Sequence, residues 1–169
     1  SNNEITNGLN IGHEQLNENK SFIFSEHYLF LKHNTLFRNN KFVNLEIEAE
    51  AKYMLKNYLF IMSKIVANPY EQNDYYEART NNYESPLKRS KSIRFGTYIT
   101  SDYRNRFAVD FGCGATFKPL YSGKEYRARI SPRIRLNDRS SMSYVLSVKN
   151  KFSDVGFATT DSLNNPVFA

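Results

Sequence analysis

Tyr126-Arg127-Ala128-Arg129-Ile130-Ser131-Pro132-Arg133-Ile134-Arg135-Leu136 is the stretch that decides the fold class. In an extended strand, Tyr126, Ala128, Ile130, Pro132, Ile134 and Leu136 share one face. Arg127, Arg129, Ser131, Arg133 and Arg135 share the other. Four guanidinium groups on one side cannot face a water-soluble core, because unpaired buried charge is costly, but they can face water.

The same period of two extends in both directions. Ser140–Lys149 sets Met142, Tyr144, Leu146 and Val148 against Ser141, Ser143, Val145, Ser147 and Lys149. Phe107–Phe117 sets alternate apolar residues against Ala108, Asp110, Gly112, Gly114 and Thr116, a small-residue face suited to a crowded interior or a bent strand. Val43–Tyr53 sets Val43, Leu45, Ile47, Ala49, Ala51 and Tyr53 against Asn44, Glu46, Glu48, Glu50 and Lys52. Lys91–Thr100, Tyr58–Ala67, Phe22–His33 and Ile5–His13 carry weaker versions of the pattern. The expected fold is all-β, an antiparallel up-and-down meander of about eight transmembrane strands forming part of an outer-membrane β-barrel.

Composition agrees with that class. The mean hydropathy is −0.61, and the run Tyr58-Leu59-Phe60-Ile61-Met62 ends at Ser63 and Lys64. Nothing approaches the ~20 apolar residues of a transmembrane helix. Yet 12 Tyr and 13 Phe are present, and both favour strands and the aromatic girdles of membrane barrels. The net charge of +6 is scattered along alternating runs, so nucleic acid is not the expected partner. Cys113 stands alone, which leaves no internal disulfide and no multi-cysteine metal site.

Short turns are expected at Asn17–Lys20, Lys56–Asn57, Asp102–Asn105 and Asn137–Arg139, alternating with longer connections at Thr35–Lys41, Pro69–Arg89, Lys118–Lys124 and from Lys151 onward. Bacterial barrels join strands by short periplasmic turns and longer outer loops. On that parity residues 1–169 are a single barrel segment with outer loops at 69–89 and 151–169 and with strands missing at both ends. A complete eight-stranded barrel is the rival.

The arginine ladder Arg127, Arg129, Arg133 and Arg135 reads as a lumen-facing basic strip that attracts anions, or as an ordinary lumenal face paired with carboxylates. Glu46, Glu48 and Glu50 form a lumen-facing acidic strip that favours the paired reading. Three carboxylates on one strand do not supply the converging oxygens that a hard metal needs. His13, His27 and His33 have no ligand spacing, and no nucleophile signature occurs, so neither a metal, a cofactor nor a catalytic residue is expected. In the loop at 69–89, Asp74, Tyr75, Tyr76, Glu77 and Arg79 suit contact with carbohydrate or protein. The alternative is a loop folded inward against the lumenal charges.

Four stretches carry a family resemblance: Asp74-Tyr75-Tyr76-Glu77-Ala78-Arg79, Thr100-Ser101-Asp102-Tyr103-Arg104, Ser131-Pro132-Arg133-Ile134-Arg135-Leu136-Asn137-Asp138-Arg139 and Asp154-Val155-Gly156-Phe157. In this order they resemble the C-terminal barrel of a Bacteroidetes outer-membrane family of uncharacterised proteins, which carry an N-terminal carbohydrate-binding family-9-like domain. Ala78 departs from the pattern. The resemblance implies an outer-membrane location, with lipid and either glycans or envelope proteins as partners. It implies passage, docking or anchoring linked to glycan handling rather than catalysis in this segment. One alternative is a structural barrel subunit of an envelope complex with a plugged lumen. Another is a surface enzyme acting on glycans or lipids with its active part elsewhere.

Overall fold

The computed structural model describes residues 3–76, 86–119 and 122–152, and the backbone of 157–160 and 166–168. In chain order the strands are β1 (Glu4–Gln15), β2 (Phe22–Leu36), β3 (Phe42–Leu55), β4 (Phe60–Asn68), β5 (Gln72–Asp74), β6 (Leu87–Arg89) and β7 (Ser92–Thr100). They continue as β8 (Phe107–Lys118), β9 (Gly123–Asn137), β10 (Ser140–Ser143), β11 (Leu146–Phe152), β12 (Phe157–Thr160) and β13 (Pro166–Phe168). The main sheet is an antiparallel meander in the order β1-β2-β3-β4-β7-β8-β9-β10, with β11 also on β9. Each of the eight expected runs supplies a rung of it. No ladder joins β1 to β10 or β11, so among the described residues the sheet is open. The pairs β5–β6 and β12–β13 form two separate two-stranded sheets.

Pro132 explains the break between β10 and β11. Ser143 pairs with Arg133 and Leu146 with Ile130 in one unbroken register. Between them the Tyr144 N–H donates to the Pro132 carbonyl at 3.0 Å, but proline has no N–H to return. The expected strand Ser140–Lys149 is thus one rung interrupted by a missing donor.

Register assigns the faces. One rung runs Ile11, Leu29, Ala49, Ile65, Phe95, Ala115, Tyr126. Its neighbour on the opposite face runs Tyr28, Glu50, Lys64, Gly96, Gly114, Arg127, Lys149. A single cavity of about 540 Å³ is lined by residues from Glu46 on β3 to Lys149 on β11. A flat sheet cannot enclose that span, so the sheet curls with its charged face inward.

Polarity is inverted relative to a water-soluble domain. Ile11, Leu29, Ile65, Phe95 and Tyr126 on the convex face are 57%, 46%, 45%, 41% and 44% exposed. The side chains of Glu48, Glu50 and Glu125 on the concave face are only 19%, 13% and 14% exposed. Among the described residues, the buried apolar ones are few: Leu36, Val66, Tyr75, Leu87 and Ala108. On the convex face the Ser63 and Thr97 hydroxyls, paired across β4 and β7, bond each other at 3.2 Å and so satisfy themselves.

Two connections differ from expectation. β2 and β8 run on to Leu36 and Lys118, so the links that follow shrink to 37–41 and 119–122. Polar residues continue the ladder there, because backbone pairing needs no apolar side chain at a strand end. Leu36 and Lys41 close the first link (N to O 2.9 Å), with Asn40 at φ 53. The contrast between short and long connections therefore fails at these two sites. Tyr58, expected within a strand, sits at φ 59 in the β3–β4 turn, and β4 starts only at Phe60. Within the expected C-terminal loop, β11 reaches Phe152 and β12 pairs with β13.

Candidate functional site

Alternation on β3 places Glu46, Glu48 and Glu50 together on the concave face, as the sequence predicts. Lys64, one strand away on β4, lies 2.5 Å from Glu48 and 3.7 Å from Glu50. Lys52 bridges Glu50 at 3.0 Å and Glu26 on β2 at 3.3 Å. Glu48 and Glu50 are thus paired with neighbouring lysines and not with the arginine ladder, from which β4, β7 and β8 separate the strip. Glu46 forms no ion pair with a described residue.

The arginine ladder of β9 divides in two. Arg127 and Lys149 share Glu125, at 3.3 and 3.4 Å. Arg129 forms no ion pair with a described residue and faces the cavity beside them. Arg133 and Arg135 instead join the turn at residues 101–106. Arg133 lies 5.3 Å from the Tyr103 ring centre, and Arg135 Nη2 donates to the Tyr103 carbonyl at 3.0 Å.

Between the acidic and basic strips the floor is glycine. Gly96 and Gly114 face each other across β7 and β8, and Gly112 follows on the same face. A Cβ on Gly114 would lie 2.8 Å from the Phe95 carbonyl oxygen, whereas one on Gly96 would meet only the Cys113 carbonyl at 3.8 Å. Arg94, Tyr98, Lys64 and Lys149 also line the cavity. Sequence reading put Arg94 and Lys149 on the polar face but did not single them out as site residues. The register of β4 was ambiguous, so Lys64 had no signal of its own.

Two of the resemblance-bearing stretches meet at the turn rim. Arg104 holds Asp102 at 2.8 Å and lies 3.2 Å from the Tyr58 ring centre, so it links the β3–β4 and β7–β8 turns. The hydrogen bonds from Arg104 hold the Asp102 carboxyl below its usual range and push the Arg104 guanidinium up in turn. Desolvation, followed by the 2.6 Å hydrogen bond it donates to Asp110, pushes the Tyr103 phenol up to about 12. Folding thus favours the protonated phenol. Its contribution is complete below the unfolded value near 10 and is lost as pH rises through about 12. Tyr103 is 41% exposed, so the effect is small. Tyr103→Phe should flatten the fall in unfolding midpoint between pH 10 and 12; an unchanged alkaline slope would disprove the Tyr103–Asp110 linkage.

The loop residues sort differently. Asp74 pairs with Arg89 at 2.5 Å and accepts from the Tyr76 N–H at 3.0 Å. Tyr75 is buried, its phenol pushed up by desolvation and its hydroxyl donating to the Phe42 carbonyl at 3.4 Å. Asn73 donates to the same carbonyl. These contacts tie β5 to the start of β3 and leave Tyr76, 39% exposed, as the outward-facing residue of that set. Glu77 and Arg79 lie outside the described residues.

Neither the curated proteins nor the solved structures contain a match to this chain. A family profile described as a domain of unknown function (DUF5916) matches residues 1–169. Because that match takes in every strand of the meander and both charged strips, the chain belongs to the DUF5916 family.

Proposed function

We propose that this chain is a run of membrane-spanning strands from an outer-membrane β-barrel, its convex face against lipid and its concave face lining a lumen. The inverted polarity carries the reading: exposed isoleucine and phenylalanine outside, with half-buried carboxylates and solvent-exposed arginines inside. Water would penalise the convex face, and hydrocarbon would not. From Phe107 to Phe117, β8 spans ~34 Å, or ~26 Å at a ~40° tilt, close to the ~25 Å apolar band of such barrels. Phe117, Tyr126 and Phe152 cluster edge-on at one end of that band, with ring centres 6.2 and 6.4 Å apart, and Phe107 stands at the other. Closure would need partners for the outer edges of β1 and of β10 and β11, which no other described strand of the main sheet meets.

The role assigned is passage, docking or anchoring at the cell surface, and its link to glycan handling rests on the family resemblance. No residue of this segment is assigned catalysis. Of the described acids of the loop, Asp74 is held by Arg89 and Glu71 lies 3.9 Å from Lys88. The full protein should resist alkaline carbonate extraction from envelope fractions and require detergent for release. Its appearance in the aqueous supernatant would overturn the membrane reading. Single-channel conductance then separates passage from a plugged structural subunit, which should show none.

A further inference from the structure

We infer that the glycine-floored trough of the concave face binds a compact oxyanion, a carboxylate or phosphate group of a small solute, gripped by Arg94, Arg127 and Arg129. The inference rests on the proposed lumen for the solute's route, though not for the chemistry of the site. Gly96, Gly112 and Gly114 remove three side chains from one patch of the face, flanked by Arg94, Arg127 and Arg129. The space is the cavity of about 540 Å³, and Arg94, Arg127 and Arg129 all line it.

Charge there is unbalanced. Lys64 is occupied by Glu48 and Glu50. Arg127 and Lys149 share the single carboxylate of Glu125. Arg94 and Arg129 form no ion pair with a described residue. Guanidinium groups present a planar fork matched to carboxylate and phosphate oxygens. Glu46 and Glu48 on the far wall repel an anion toward the arginines. Arg133 and Arg135 take no part, being held at the turn rim.

The test uses the full protein in detergent micelles, titrated with inorganic phosphate (³¹P line broadening) and with citrate as competitor. Phosphate should bind at one site from which citrate displaces it, and the tighter of the two identifies the oxyanion class. Arg129→Gln should weaken phosphate binding by about tenfold, as loss of a charge-assisted contact does, and Arg94→Gln serves if that variant misfolds. Gly96→Leu leaves the charge unchanged but fills the trough, where a Cβ meets only the Cys113 carbonyl at 3.8 Å; it should weaken binding as much. Arg139→Gln, at the β9–β10 turn, is the charge-matched control and should leave affinity unchanged. Equal affinities across the four variants, or an equal loss in Arg139→Gln, would overturn the site in favour of diffuse attraction. A protein that needs no detergent refutes the barrel, yet the same titration in buffer still decides the trough.

Discussion

Arginine at Ile130 or Leu146 is expected to lower the stability of the lipid-embedded protein by ~2–4 kcal/mol where the position lies near the bilayer midplane. These residues pair directly across β9 and β11, and Ile130 is flanked on its other side by Phe111. They are 42% and 49% exposed. In water an exposed isoleucine or leucine tolerates arginine within about 0.5 kcal/mol, so the substitution distinguishes the two environments. Arginine at Ser143, exposed on the opposite face, is the control and should cost no more than about 1 kcal/mol, the like-charge penalty opposite Arg133. Ser131 shares that face but is only 7% exposed and sits opposite Asp110; an arginine there would have to displace packed neighbours. Denaturant titration of protein folded into vesicles reads the difference. Equal costs at Leu146 and Ser143 would mean that the faces have been assigned wrongly.

The faces were legible because period-two patterning survives any curvature of the sheet. Tyr126–Leu136 and Val43–Tyr53 state it in full, and the register confirms that each charged set lies on one side. Weak runs were recovered for another reason: Ile5–His13 has Asn7 on its apolar side, yet backbone pairing with β2 extends the strand from Glu4 to Gln15. Hydrogen-bond ladders do not read side chains, and the same indifference shortened the links after Leu36 and Lys118. What alternation cannot express is which strip meets which. Glu48 and Arg127 look complementary in sequence, but strand order places Lys64 beside Glu48 and three strands between Glu48 and Arg127. The division of the arginine ladder was hidden for the same reason, since Arg133 and Arg135 depend on Tyr103, 30 and 32 residues earlier.

Gly114→Ala is the second large effect, and it tests the bend on which the trough depends. The new Cβ would lie 2.8 Å from the Phe95 carbonyl oxygen and 3.6 Å from the Gly96 Cα. Both are backbone atoms of β7, a strand held on one side by β4 and on the other by β8. They cannot swing aside as a side chain does, so the sheet itself must shift, at a cost of ~1–3 kcal/mol. Gly12→Ala offers the contrast, because its close contact, also 2.8 Å, is with the side chain of Tyr28. Gly96→Ala meets only an ordinary contact and should be neutral or stabilising by ~0.4–1 kcal/mol through a less flexible unfolded chain. The order Gly114 worst, Gly12 intermediate and Gly96 best should appear as the order of unfolding midpoints in urea. If Gly114→Ala matched Gly96→Ala, the two strands would not approach as closely as the curled sheet requires, and the floor between the charged strips would be flat.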